Sequence, residues 1–531
     1  MGKENQKPCG RLFLAAGIFD FRDDPGDERR AKTQHDTDRY TKNAPESIHN
    51  DGHSAASRWN VKRFALGTHS SYAGAVIQIT KNGVRWEMQL DVAPLLDEIL
   101  ASSGRVIKES AYGRVAVHRG GGKNFYVKTY RHSASFWRPF KFFFKPSQAQ
   151  GEWKLAQEFT ARGIPIVRHA AVGERWSWRG LMESVLITEE FDGQPLVDAT
   201  GATPEHVLAF IHFMHDHGVM QHDLHRHNLL ADASGELRLV DLHHSVITDN
   251  FTAEERATNL AYLHMTFPMP VTPDIAQLAA RMRKKHFANR SRRCFGDNRF
   301  FAAKRFGDLN WQTRLAFSTP QAETIMQDPN GFLAKRAKIF KPGRSCTVGA
   351  ADCLVLKRYN LRKLLNLVKD LFRLSKARRS FQKAYHLELV GIPTARPVAA
   401  ADEHHFGFQT RSYFLMEEIR GAVDLGKWQS DTALAAQRVA ALLAKLHNEG
   451  FRHRDLKETN VLFDETGSAI LIDLEGLEFV ETVTPQLAAA DLRRLDRGVK
   501  KLPQFSFSDR LRFIHHYCKL RGLSPASLRL E

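Results

Sequence analysis

One pattern of acidic and amide residues occurs twice in the chain. The first copy is VMQHDLHRHNLLADASGELRLVDLHHS, at Val219–Ser245, and the second is FRHRDLKETNVLFDETGSAILIDLEGL, at Phe451–Leu477. In each copy an aspartate precedes an asparagine by five positions, and a second aspartate follows thirteen positions later; the residues are Asp223, Asn228 and Asp241, then Asp455, Asn460 and Asp473. Two short apolar runs joined by a turn lie between them and predict a β-hairpin. This long-period repeat predicts two homologous domains in tandem.

The repeat extends in both directions and sets the predicted domain limits. Each loop follows an amphipathic pattern that ends at a glycine, Gly218 or Gly450, which is a usual end for a helix. We predict a poorly ordered segment at 1–60, a first domain at 61–295 and a second domain at 296–531. The five cysteines are scattered, with no metal-type pairing, which fits a reducing compartment.

The spacing within each copy is typical of phosphoryl transfer. HRDLKETN, at His453–Asn460, matches a loop in which the aspartate faces the acceptor hydroxyl and the asparagine binds Mg²⁺. The hairpin that follows would return the second aspartate to the same metal. We therefore predict ATP and Mg²⁺ as cofactors and Asp223 and Asp455 as catalytic residues. The predicted metal ligands are Asn228, Asp241, Asn460 and Asp473.

Each copy also carries a lysine on a predicted strand, where it can bind the nucleotide phosphates. Lys128 lies in NFYVKTY and Lys357 lies in CLVLKRY. Glu152, in GEWKLAQEF, is the helix glutamate that would pair with the first lysine, but the same register in the second copy holds Ser380. The second copy therefore holds Lys357 by other means or is impaired. The predicted ATP-binding residues are Lys128, Glu152, Glu190, Lys357 and Glu418.

The first loop is rich in histidine, which by itself is typical of a metal site. Comparison with the second loop assigns the chemistry to the aspartate and asparagine instead. His225 stands where the second copy has Lys457, and we predict that both are catalytic residues facing phosphate or acceptor. Gln221 occupies the place of the usual catalytic-loop histidine, and the glycine-rich loops near Gly113 and Gly343 are poor.

These residues resemble the lipopolysaccharide kinase family, the bacterial enzymes that phosphorylate Kdo or heptose in the inner core. The resemblance rests on GIPIVRHAAVGE, TEEFDG, HDLHRHN and VDLHHS in the first copy and on GIPTARPVAA, MEEIRG, HRDLKETN and IDLEG in the second. It covers roughly Arg105–Leu263 and Ala337–Arg497. It implies an α+β fold of two tandem bilobal protein-kinase-like domains, each with a β-rich N-lobe and a helical C-lobe. It also implies ATP- and Mg²⁺-dependent transfer to a core sugar hydroxyl on the cytoplasmic leaflet, with the lipopolysaccharide core or a lipid A-linked sugar as the partner.

The formal net charge of +18 indicates an anionic partner. Basic, apolar segments at Arg131–Ser147 and Arg358–Arg379 suit an anionic membrane surface, and they equally suit faces that cover a lobe core or a domain interface. The basic stretch Arg281–Arg293 has no nucleic-acid-binding motif beside it, so we do not expect nucleic acid. No run approaches the ~18 apolar residues of a membrane span, and no secretory signal is evident. We expect a cytoplasmic protein, peripherally associated with the inner membrane.

Two alternatives stay open at this point. The chain could be a kinase for another acceptor, a protein or a small molecule. One active domain could also be regulated by a pseudokinase copy. The full set of predicted residues in the first copy argues against two inactive domains.

Overall fold

The computed structural model describes residues 75–529, except 111, 134–138, 200, 344, 361–372 and 406–407. Contacts divide the chain into two compact units, with the boundary between Ala279 and Ala280. We name these units domain one and domain two. The domain limits at 61–295 and 296–531 stay predictions, and the segment at 1–60 lies outside the described residues. Among the described residues, no helix is long and apolar enough to cross a membrane.

Domain one begins with an antiparallel sheet whose described strands follow the order β1-β2-β6-β7-β5-β4-β3. The strands are β1 Val76–Lys81, β2 Val84–Gln89, β3 Arg105–Ser110, β4 Gly113–Gly120, β5 Lys123–Arg131, β6 His169–Ser177 and β7 Gly180–Glu189. Helix Leu96–Ala101 follows β2, and helix Gln148–Ala161 connects β5 to β6. Trp153 of helix Gln148–Ala161 packs against Val172 and Leu186 of the sheet, and this contact holds the helix on the sheet that contains β5.

The second lobe of domain one is mainly helical. Its helices are Pro204–Asp216 and Ala253–His264, and a third helix, Pro273–Arg292, contains the boundary between the two units. Its short strands are β8 Gln194–Pro195, β9 Val219–Gln221, β10 Leu229–Ala231, β11 Leu237–Leu239 and β12 Ser245–Ile247. Strands β10 and β11 pair antiparallel and confirm the β-hairpin that the sequence predicts.

Domain two repeats this arrangement, with a sheet in the order β13-β14-β18-β19-β17-β16-β15. The strands are β13 Phe301–Phe306, β14 Leu309–Arg314, β15 Lys338–Pro342, β16 Cys346–Ala351, β17 Leu354–Asn360, β18 Pro397–His405 and β19 Phe408–Glu417, followed by β20 Val423–Asp424, β21 Phe451–His453, β22 Val461–Phe463, β23 Ala469–Leu471 and β24 Leu477–Phe479. The helices are Pro320–Gln327, Lys376–Leu389, Thr432–Asn448, Pro485–Val499, Phe507–Arg521 and Pro525–Leu528.

The two sheets match strand by strand, including the positions of the two lysines. Lys128 pairs with Val115 on β4 and Leu186 on β7. Lys357 pairs with Val348 on β16 and Phe414 on β19. The α+β prediction is therefore confirmed: the chain folds as two tandem bilobal protein-kinase-like domains, each with a β-rich N-lobe and a helical C-lobe.

Serine caps set the start of the helix that packs on each sheet. Ser147 Oγ accepts from the backbone N–H of Gln150, and Ser375 Oγ accepts from that of Arg378, each at 3.0 Å. A capping oxygen of this kind satisfies a helix N–H that would otherwise have no partner. The residue five positions after each capping serine is Glu152 in one helix and Ser380 in the other, and both residues are buried.

Candidate active site

The two loops that the sequence predicts to be catalytic have the same internal geometry. Each follows a short strand, β9 or β21, and each leads into the hairpin. The side-chain amide of Asn228 donates to the backbone carbonyl of Asp223 at 2.9 Å, and Asn460 donates to the carbonyl of Asp455 at 2.8 Å. Because the NH₂ end of each amide is held in this way, its oxygen is the end that is suited to a cation.

Both second aspartates have a left-handed backbone. The φ angle is 57° at Asp241 and at Asp473, a conformation that costs a non-glycine residue about 1–3 kcal/mol and occurs mainly where surrounding contacts impose it. In domain one, Gln221 Nε2 donates to the Asp241 carbonyl at 2.6 Å. In domain two, His453 Nε2 donates to the Asp473 carbonyl at 3.0 Å. Gln221 thus makes the contact that the histidine makes in the other copy.

Lys128 contacts two carboxylates from different lobes of domain one. Its ammonium pairs with Asp241 and lies 3.5 Å from Glu152 Oε1. Burial alone would lower the pKa of Lys128, but Glu152 and Asp241 outweigh burial and raise that pKa above its ordinary value. Lys128 is therefore a permanent positive charge in the cleft between the lobes of this domain.

Glu152 is buried among charged and titratable neighbours. His169 Nε2 lies 3.5 Å from Glu152 Oε1, and ligand atoms of Glu152, Asp241 and His243 lie within 4.8 Å of one another. Burial would raise the pKa of Glu152, but Lys128 and His169 lower it below its usual value, so the side chain is charged. The Lys128 ammonium pairs with both carboxylates, so the positive charge of Lys128 offsets the negative charges of Glu152 and Asp241.

Domain two holds its lysine with a residue that the sequence comparison missed. Lys357 Nζ lies 2.6 Å from Asp473 Oδ1 and 3.1 Å from Glu475 Oε1. Burial alone would lower the pKa of Lys357, but Tyr359, Asp473 and Glu475 together raise that pKa above its ordinary value. The available signal was the acidic residue in IDLEG, at the position where VDLHHS has His243.

The predicted catalytic partners lie beside their aspartates. His225 Nε2 is 3.7 Å from Asp223 Oδ2, and Lys457 Nζ is 2.8 Å from Asp455 Oδ2. In domain one, the hydroxyl of Tyr262 also donates to Asp223 Oδ1, at 3.4 Å. These contacts hold each aspartate beside a group that carries, or can carry, positive charge.

Each catalytic loop is anchored by a helix residue that was not assigned a role from the sequence. Asn259 Nδ2 donates to the Gln221 carbonyl at 2.7 Å. Asp491, which is fully buried, accepts from the backbone N–H of His453 at 2.8 Å and pairs with Arg452 at 3.1 Å. The signal was their common position, eighteen residues after the second aspartate of each copy.

Comparison with known proteins identifies the family. The profile of the lipopolysaccharide kinase (Kdo/WaaP) family matches residues 97–286, most of which belong to domain one, and residues 335–517 of domain two; the two regions together cover more than half of the chain. The chain belongs to the lipopolysaccharide kinase (Kdo/WaaP) family. The two matched regions confirm the tandem arrangement.

Several members and structures are similar to parts of this lipopolysaccharide kinase family chain. A 3-deoxy-D-manno-octulosonic acid kinase of Xylella fastidiosa strain M23 is 31% identical over 87 residues, 16% of this chain and 34% of that protein. The protein of the same name from strain 9a5c is 26% identical over 136 residues, 25% of this chain and 46% of that protein. The chain thus aligns with less than half the length of these curated relatives.

Two solved structures are also similar. WaaP in complex with acyl carrier protein is 20% identical, with 36% of this chain and 81% of that chain covered, at a TM-score of 0.26. The crystal structure of WbdD is 17% identical, with 36% of this chain and 46% of that chain covered, at a TM-score of 0.24.

The residues of this family member fit Mg²⁺ and a nucleotide. Asn228 and Asp241 offer an amide oxygen and a carboxylate, and Asn460 and Asp473 offer the same pair; hard oxygen donors of this kind are what Mg²⁺ requires. When bound, Mg²⁺ would neutralise charge on the phosphates. A lysine, Lys128 or Lys357, lies against the aspartate of each pair. The donor set therefore fits the ion in both domains.

Glu190 and Glu418 lie directly after the last strands of the two N-lobe sheets, β7 and β19. The Glu190 N–H donates to the Asn124 carbonyl, and its carboxylate accepts from Asn124 Nδ2 at 2.7 Å. The Glu418 N–H donates to the Cys353 carbonyl. Both glutamates are thus at the connection between the lobes of their domains, and their role in binding ATP stays a prediction.

Proposed function

We propose that this protein is a Mg²⁺- and ATP-dependent kinase that phosphorylates a sugar hydroxyl, of Kdo or heptose, in the lipopolysaccharide inner core. The observation that supports this most strongly is the convergence of Lys128, Glu152 and Asp241 in one cluster of a lipopolysaccharide kinase family member. The family, and relatives that are 3-deoxy-D-manno-octulosonic acid kinases, support the proposed acceptor.

The reaction needs few protein groups, and domain one supplies them. The acceptor oxygen attacks the γ-phosphorus, the bond from that phosphorus to the β-phosphate oxygen breaks, and ADP leaves. Asp223 takes the proton of the acceptor hydroxyl. Lys128 binds the nucleotide phosphates, and Glu152 holds Lys128 in place. His225, beside Asp223, lies where it can contact the transferred phosphate.

The direct test is transfer by the purified full chain. We expect radiolabelled phosphate from ATP to appear on purified lipopolysaccharide that lacks core phosphate, and EDTA should abolish that transfer. Asp223→Asn should lower it, while Asp249→Asn, at an exposed surface ion pair, should not. Labelling of a generic protein acceptor in preference to lipopolysaccharide would contradict the proposed acceptor.

We further propose that domain one contacts the cytoplasmic face of the inner membrane through exposed aromatic side chains. Phe144 and Trp178 are 85% and 83% exposed, and Phe140 and Phe143 are about half exposed. The Phe143 ring lies 5.5 Å from that of Trp176, in the hairpin that carries Trp178. Exposed aromatic clusters of this kind are uncommon on a soluble surface and typical of interaction sites.

Basic side chains accompany these aromatics, which favours an anionic surface. Lys141 and Lys145 belong to the same segment, and Arg179 follows Trp178. The basic, apolar segment of domain two, Arg358–Arg379, is predicted from the sequence to be an amphipathic helix, and its residues 361–372 lie outside the described residues.

Sedimentation with vesicles tests this membrane contact. We expect the protein to pellet with phosphatidylglycerol vesicles and less with phosphatidylcholine vesicles. The triple variant Phe140→Ser, Phe143→Ser and Phe144→Ser should pellet less than the wild type. Phe507→Ser, at an exposed phenylalanine of domain two, is the matched control. Equal sedimentation of the triple variant and the wild type would contradict the membrane proposal.

A further inference from the structure

The helix that packs on the sheet of domain two has no carboxylate at the position that corresponds to Glu152. The register position of Glu152 is Ser380, whose hydroxyl lies 3.1 Å from the hydroxyl of Tyr359. A small cavity of about 40 Å³ opens beside Ser380 and is lined by Lys357 and Asp473 among others. Ser380 therefore lies near Lys357 but carries no charge that could pair with the ammonium.

Glu475 contacts Lys357 from a different segment, the short turn that follows Asp473. One carboxylate oxygen lies 3.1 Å from Lys357 Nζ, and the other lies 3.0 Å from Lys376 Nζ. Lys376 belongs to the first turn of the helix that carries Ser380. The helix thus still reaches Lys357 through an ionic link, with Glu475 as the intermediate.

A second lysine of the same helix fixes the backbone around Glu475. Lys383 Nζ donates to the backbone carbonyls of Leu474 and Glu475, each at 3.1 Å. The short helical turn Leu474–Gly476 is therefore held at two points by helix Lys376–Leu389. A carboxylate that is fixed in this way can position a lysine, whereas a freely rotating surface glutamate cannot.

The second carboxylate that contacts the lysine comes from a different position in each domain. In domain one the acid is on the helix, at Glu152, and His243 occupies the second position after the metal-binding aspartate. In domain two the helix position is a serine and the acid is at that second position. Each lysine consequently contacts two carboxylates, one of which is the aspartate of the metal pair.

We propose that domain two is a second working nucleotide site, in which Glu475 replaces the missing helix glutamate as the positioning residue of Lys357. This inference rests on the proposed kinase function. It favours a working domain two over an impaired one, because Glu475 supplies to Lys357 the carboxylate that the helix lacks at position 380.

Calorimetric titration of the full chain with a non-hydrolysable ATP analogue and Mg²⁺ counts the working sites. We expect two binding sites in the wild type and one in Lys128→Met, where only domain two binds. In the Lys128→Met background, Glu475→Gln should weaken binding by about tenfold or more, since it removes a partly buried charge partner. Glu388→Gln, which breaks an ion pair of the same helix with Arg314, is the matched control and should leave binding unchanged.

A rescue variant separates positioning from a merely structural role. In the same background, Glu475→His should weaken binding, and adding Ser380→Glu should restore it to within about threefold, because a carboxylate then returns to the lysine from the helix. Thermal unfolding should be alike for Glu475→Gln and the Glu388→Gln control. A double variant that binds no better than Glu475→His alone would contradict the role of Glu475.

The outcome also distinguishes this inference from the proposed function. A single site in the wild type that disappears in Lys128→Met would overturn the inference about domain two and leave the kinase proposal for domain one intact. No binding in the wild type would overturn both.

Discussion

Gln221 donates a hydrogen bond of 2.6 Å to the backbone carbonyl of Asp241 and so holds a left-handed aspartate in place. The same side chain accepts from the N–H of Asp223 at 3.2 Å, so one amide connects Asp223, the proposed catalytic base, to Asp241, the proposed metal ligand. His453 makes the corresponding contact with Asp473. Gln221 therefore makes the same hydrogen bond as the histidine that usually occupies this position of the loop.

Replacement of Gln221 tests this equivalence. Gln221→His should keep kcat/KM within about threefold, because imidazole can donate the same bond, while Gln221→Ala should lower kcat/KM about tenfold, or ~1.4 kcal/mol. Steady-state kinetics in an Asp455→Asn background isolate domain one. Equal losses in the two variants would show that the donor to Asp241 is unimportant.

The anchor of the second loop offers a double-mutant test. Asp491 is buried and pairs with Arg452, whereas domain one has the uncharged residues Asn259 and Met220 at these positions. Asp491→Asn alone should lower the free energy of unfolding by ~3 kcal/mol, since it leaves Arg452 without its buried partner. Adding Arg452→Met should recover ~1 kcal/mol or more.

Urea denaturation followed by circular dichroism measures these losses for each single variant and for the double variant. Strict additivity of the two single losses would contradict a coupled pair.

His386 gives domain two a predicted sensitivity to acid. Its ring lies 4.7 Å from that of Phe451 and 5.3 Å from that of Phe479, and burial lowers its pKa to about 4. An unfolded chain protonates its histidine near pH ~6.5, so the stabilising contribution is complete above that pH and is lost as the pH falls toward 4. The loss is at most ~3 kcal/mol.

Unfolding temperatures measured between pH 7.5 and 4.5 should therefore fall less steeply in His386→Leu than in the wild type. Parallel pH profiles in the two proteins would rule out His386 as the source of the acid sensitivity.

The sequence predicted the fold and most of the candidate site because both depend on local spacing. The asparagine and aspartates lie on one loop and hairpin, and the lysines lie on β5 and β17, so their registers can be compared directly between the copies. Glu152 lies next to Trp153, which packs helix Gln148–Ala161 against the sheet, so the sequence indicates that Glu152 is near the lysine strand.

Contacts between distant segments could not be predicted in this way. Glu475 follows Ser380 by almost a hundred positions, and only the folded chain shows that it faces the same lysine. His169, on β6, approaches Glu152 for the same reason. The sequence did not predict that Gln221 donates to Asp241, because glutamine and histidine differ in charge and shape. Both side chains nevertheless carry an N–H donor that can contact the same carbonyl.

The masses of lipopolysaccharide from cells that express the wild type, Asp223→Asn, Asp455→Asn or the double variant test the central claim most directly. We expect core phosphate with the wild type, less with each single variant, and none above background with the double variant. Core phosphate that is unchanged in the double variant would contradict the proposed kinase function.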